Sequence, residues 1–126
     1  MNVQGMGITP KQIKYSGDHF HAAWEIVLNL QGSGTVIVDG NSYPFRENSI
    51  ISMPPYSHHT KYSDCYFKDI YMLVDTLRLP SGNQVITLQD DEENNIRSLF
   101  FMALEFFYKK EDGYQYIVNS LMHSMY

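Results

Sequence analysis

The chain has 126 residues, 44% of them hydrophobic, which is enough for one domain with its own core and no covalent staples. A single cysteine, Cys65, excludes an internal disulfide and predicts a reducing, cytoplasmic setting. The first 20 residues hold no apolar run, and the longest such run, residues 99–104, is far too short to span a membrane. The net charge is −5 with nine scattered Lys and Arg, so neither a signal peptide, a membrane partner nor a nucleic-acid surface is expected.

Up to about residue 88 the pattern is one of short β-type runs between Gly, Pro and Asn. Residues 8–15 predict a first strand. In residues 24–30, Trp24, Ile26, Leu28 and Leu30 fall on one face, and Glu25, Val27 and Asn29 on the other. The second face mixes polar and apolar side chains opposite a wholly apolar one. That predicts a ligand-filled lumen, because unpaired buried polar groups cost about 1–3 kcal/mol each. Gly32-Ser33-Gly34 is a turn, residues 35–38 are β-branched throughout, and Asp39-Gly40 is a hairpin signal. Residues 42–45 and 49–53 predict further strands, the second stopped by Pro54-Pro55. Residues 66–74 predict the last long strand. Several short strands at this spacing indicate a sandwich or small barrel.

After this the period becomes helical. Asp90 and Glu93 resemble a capping box with Asp in the Ser/Thr role. From Ile96 to Tyr108 only Arg97, Ser98 and Glu105 are not apolar, so this helix must be covered on more than one side. Lys109 and Lys110 suit its C-terminal end, and Gly113 breaks it. Tyr114, Ile117, Val118, Leu121, Met122 and Met125 then repeat at helical spacing. Leu99, Tyr114, Val118, Leu121 and Met125 predict the seam of a homodimer, since a soluble monomer rarely exposes so wide an apolar stripe. The pattern still runs at Tyr126, so the sequence reads as part of a longer one. Residues 1–88 and 89–126 are expected to be a barrel and a helical pair within one domain.

The sharpest chemical constellation is His19, His21 and Glu25. On an extended chain they share a parity and point to one face, where two imidazoles and a carboxylate can bind Zn, Fe, Mn or Ni. A fourth ligand could come from His58 or His59. The same groups could instead line the mouth of a pocket. Cys65 has no local signature of a nucleophile and reads as a bystander.

His19, His21, Glu25 and Gly32 match the spacing of the first cupin motif, without its leading Gly. The segment from Pro54 to His59 keeps the Pro and a His of the second motif but lacks its Gly and trailing Asn. The chain thus resembles a cupin. It is more closely similar to the ligand-sensing domain of AraC-type transcription regulators, on residues 24–34, 38–45, 49–55 and His58, followed by two amphipathic helices. It departs from that pattern where Arg46-Glu47-Asn48 replaces the usual Pro-Gly-Asp turn. The resemblance implies a mainly β fold, a cupin-like jelly-roll barrel followed by two C-terminal α-helices. It implies a small effector, such as a sugar, held in the barrel by His19, His21, Glu25, Val27, Asn29, Tyr43 and His58 or His59. Spacing from Pro54 favours His59 on the cupin pattern and His58 on the regulator pattern. It further implies a homodimer, no enzymatic activity, no cofactor and no metal; a metal, were one present, would take His19, His21, Glu25 and His59. DNA would be contacted only through two helix-turn-helix units beyond this sequence. The alternative is a metal-dependent cupin enzyme of the isomerase or dioxygenase type.

Overall fold

The computed structural model describes residues 2–9, 13–77 and 82–123. Among them, eight strands precede two helices: β1 (Val3–Ile8), β2 (Ile13–His19), β3 (Trp24–Gln31), β4 (Gly34–Val38), β5 (Asn41–Phe45), β6 (Ser49–Met53), β7 (His59–Val74), β8 (Ile86–Gln89), α1 (Asn95–Lys109) and α2 (Tyr114–His123). All the pairings are antiparallel, and β7 organises them. Its first half pairs with β2 and β4, its second half with β1 and β3. β5 extends β4, and β6 and β8 extend β3. The result is a curled half-barrel in which one strand belongs to both walls.

Local sequence explains the bends. Asp39 and Gly40 both take positive φ, as a two-residue hairpin turn requires. A Cβ at Gly32 or Gly34 would collide with the carbonyl oxygen of Tyr66 or Tyr62, so this Gly-Ser-Gly segment lets β7 cross closely where it passes between walls.

Alternation along the strands builds two cores. Trp24, Ile26, Leu28 and Leu30 join Ile50, Ile70, Met72 and Val74 beneath Phe100, Ala103 and Leu104 of α1 and Val118 and Met122 of α2. On the inner side, Val27, Ile51 and Met53 join Val36, Val38, Phe45 and Phe67. The helices therefore roof the outer face of the wall that contains β3.

Four expectations need correction. The strand expected over residues 8–15 spans the junction of two strands, with residues 10–12 outside the described residues. β7 starts at His59 rather than near residue 66, and β8 was not foreseen. The capping box is not formed: Asn94 is the N-cap, in left-handed conformation and without a side-chain cap. Asp90 does the capping from upstream, its two oxygens accepting the Ile96 and Arg97 N–H groups at 2.9 Å each. Lastly, the apolar repeat of α2 is not a free seam. Val118 is fully buried in the chain's own core, and Leu99, Tyr114 and Leu121 pack at its edge. Met125 lies outside the described residues.

Candidate functional site

The inner face of the half-barrel lines a cavity of about 380 Å³. Val27, Val36, Ile51, Met53, Phe67 and Leu73 form its apolar wall. The polar residues on it fall into two groups.

The first group is His21, Glu25 and His59. Glu25 is the second residue of β3 and faces inward, directly opposite Met53 on β6. His59 opens β7 and is 7% exposed. His21 sits in the segment between β2 and β3, which the Tyr56 N–H ties to the Pro54-Pro55 turn by donating to the His21 carbonyl at 2.6 Å. Glu25 Oε2 lies 2.7 Å from His59 Nε2 and 3.5 Å from His21 Nε2. That oxygen is buried, yet it accepts no hydrogen bond of acceptable geometry. Three potential ligand atoms thus lie within 4.8 Å of one another. Two imidazoles and a carboxylate in this arrangement, around a buried oxygen with no donor, fit a divalent transition ion. Bound there, such an ion would supply Lewis acidity.

The second group centres on Lys61, next but one after His59 along β7. Its ammonium donates to Asp69 Oδ2 at 2.8 Å and Asn29 Oδ1 at 3.0 Å. It also sits over the rings of Phe45 and Phe67, 4.4 and 4.5 Å from their centroids. Burial pushes the Lys61 pKa below its usual 10.5, and the charges of Asp69 and Glu25 oppose that shift. The Asp69 N–H donates to Thr9 Oγ1 at 2.7 Å, and the Thr9 hydroxyl donates to the Asp69 carbonyl at 3.0 Å, which locks this segment to the end of β1.

Of the residues expected from sequence, His21, Glu25, Val27 and His59 line the cavity together. Asn29 lies one layer behind, 2% exposed, and holds Lys61. Tyr43 is half-buried against the inner core and is not among the described residues of the wall. His58 points away: its ring is exposed and stacks on Phe20 at 4.9 Å. Between His58 and His59, the cavity takes His59. The backbone of His19 pairs with His59, and its side chain lies outside the described residues. The shared parity of His21 and Glu25 is not the cause of their meeting, since residues 20–23 are not strand; the loop brings them together. Lys61, Asp69 and Tyr71 were not foreseen. Their signal was an alternation of charged and apolar residues that reads equally well as a solvent-facing strand.

No family model matches the chain, and no curated protein matches it. Solved structures do. The protein Ylba from E. coli is similar with a TM-score of 0.52, over 72% of this chain and 47% of its own, at 10% identity. ToxT from Vibrio cholerae, in a structure with a bound unsaturated fatty acid, is similar with a TM-score of 0.51, over 79% of this chain and 46% of its own, at 13% identity. The conserved SPY1581 protein of unknown function from Streptococcus pyogenes is 25% identical over 60% of this chain and 68% of its own, with a TM-score of 0.49. The chain spans less than half the length of Ylba and ToxT. At such identities the likeness is one of fold: the chain is a mainly β, cupin-like half-barrel completed by two C-terminal helices.

Proposed function

We propose that the chain is the small-molecule-sensing domain of an AraC-type transcription regulator. The observation that carries this reading is the placement of a mixed-polarity cavity on one face of β3 and β7 and of both helices on the other. A binding event and its output surface thus share two strands. The likeness to ToxT, an AraC-type protein, supports it. In this reading the protein is not an enzyme and works in the cytoplasm. It pairs through the exposed α1 face of Phe101, Met102 and Tyr108, and meets DNA only through sequence beyond this chain. A thermal-shift screen of sugars, organic acids, aromatic acids and amines tests it. A ligand at a hundred times its Kd stabilises the native state by about 2.7 kcal/mol, a rise on the order of 10 °C for a domain of this size. No shift from any class removes the sensing reading.

A second reading, a metal-dependent cupin enzyme, is favoured by the His21, Glu25 and His59 cluster. Elemental analysis decides between them. Near one transition metal per chain, lost in His59→Ala, promotes the enzyme.

A further inference from the structure

The charges on the cavity wall narrow what it can hold. Among the described lining residues, the acidic and basic side chains other than histidine are Glu25, Asp69 and Lys61. Lys61 is largely engaged: Asp69 and Asn29 accept two of its three protons, and the faces of Phe45 and Phe67 flank it. It therefore has little left for an incoming anion. Glu25 is in the opposite position. Its Oε2 is buried and accepts no hydrogen bond, although two imidazoles stand beside it. A carboxylate or phosphate brought into this space would meet two carboxylates and, among the described lining residues, no lysine or arginine without an ion-pair partner, at a distance where water no longer screens.

We propose that the cavity binds a small molecule bearing a protonated amine, with its ammonium against Glu25 Oε2 and its apolar body along Val27, Ile51 and Met53. The inference deepens the ligand-binding reading above and rests on it. Cross-strand register supplies the geometry. Met53 lies opposite Glu25, and Ile51 lies opposite Val27, so an alkyl chain leaving the carboxylate runs directly onto apolar surface. An ammonium donor satisfies the orphaned oxygen, and a neutral hydroxyl does so with less charge complementarity. The fatty acid of ToxT would be the wrong charge here.

The test uses three probes of matched length, n-hexylammonium, hexanoate and 1-hexanol, titrated calorimetrically at neutral pH. EDTA is included so that no divalent ion occupies Glu25. Wild type is expected to bind hexylammonium at least about tenfold tighter than the other two. Glu25→Gln should erase that preference while still binding hexanol, which shows that the cavity is intact. Asp69→Asn, which removes one carboxylate and leaves the Lys61 charge without its ion-pair partner, should turn the preference towards hexanoate. Hexanoate binding as tightly as the amine in wild type overturns the proposal, as does an amine preference that survives Glu25→Gln. Binding of hexanol or hexanoate without the amine overturns the proposal alone. No binding of any probe overturns it together with the ligand-binding reading.

Discussion

Lys61→Met tests the buried charge pair most directly. The substitution leaves the Asp69 carboxylate, 8% exposed, and Asn29 Oδ1 without their donor. Breaking a buried pair from one side costs about 3–5 kcal/mol. Asp69 borders a cavity that can admit water, which moves the figure to the lower end. Methionine keeps the volume and restores some contact with Phe45 and Phe67, worth roughly 0.5–1 kcal/mol. The expected net loss is about 2–3 kcal/mol, or on the order of 10 °C in Tm for a domain of this size. The companion Lys61→Met/Asp69→Asn removes the stranded charge and should lie within about 1 kcal/mol of wild type. Urea unfolding followed by the fluorescence of Trp24 reports both, because that indole is 2% exposed in the outer core. The effect should also depend on pH. The pKa of Lys61 is lowered in the folded state, so between that lowered value and 10.5 the unfolded chain binds more protons, and stability rises with pH. The advantage of wild type over Lys61→Met should therefore grow across that window. A single variant as stable as wild type, or a double variant less stable than the single, would refute the reasoning.

Further outcomes follow from other parts of the fold. Asp90→Ala removes the acceptor of the Ile96 and Arg97 N–H groups and should cost about 2 kcal/mol in urea unfolding. Glu93→Ala, whose carboxylate accepts a long 3.5 Å hydrogen bond from the Asn95 side chain, should change little, and the reverse order would restore the capping box. Val118→Asp places a charge in a fully buried position and should abolish folding. Met102→Glu, on the exposed α1 face, should fold normally and shift the mass from dimer to monomer in light scattering; a dimer indifferent to it removes that face as the contact. On the metal-enzyme reading, added Zn(II) should raise the melting temperature of wild type and leave His59→Ala unmoved, and equal shifts in both would place the ion elsewhere.

What the sequence disclosed depended on how much of each pattern was local. The alternation in β3 was legible because both faces are consistent along its length, and each now meets a core of its own. The helices were legible for the same reason. What they pack against was not: Val118 and Leu121 show one periodicity whether they meet a second copy or the chain's own sheet. β1, with Gly5 and Gly7 in six residues, has little β signal of its own; its place is set by β7, where Gly7 leaves room for the Tyr71 ring. Lys61 and Asp69 could not be paired from sequence, since inward-facing charges in a half-barrel look like outward-facing ones until the strands are placed. Glu25 and His21 are legible in the sequence, since they stand in one short motif. The choice of His59 over His58 required knowing that β7 begins at residue 59 and which parity faces in.

The shared strand has a mechanical consequence. Along the second half of β7, Asp69, Tyr71 and Leu73 project into the cavity, and Ile70, Met72 and Val74 alternate with them beneath the helices. The two sets are separated by the thickness of one backbone. Close-packed interiors transmit displacement instead of absorbing it. A molecule that wedges the inner side chains apart must therefore tilt the bed on which α1 and α2 rest, with no intervening loop to dissipate the movement. The same adjacency constrains change over generations. A substitution that refits the cavity at Tyr71 also presses on the seating of both helices, so new ligand preference and new helix posture would tend to arrive together.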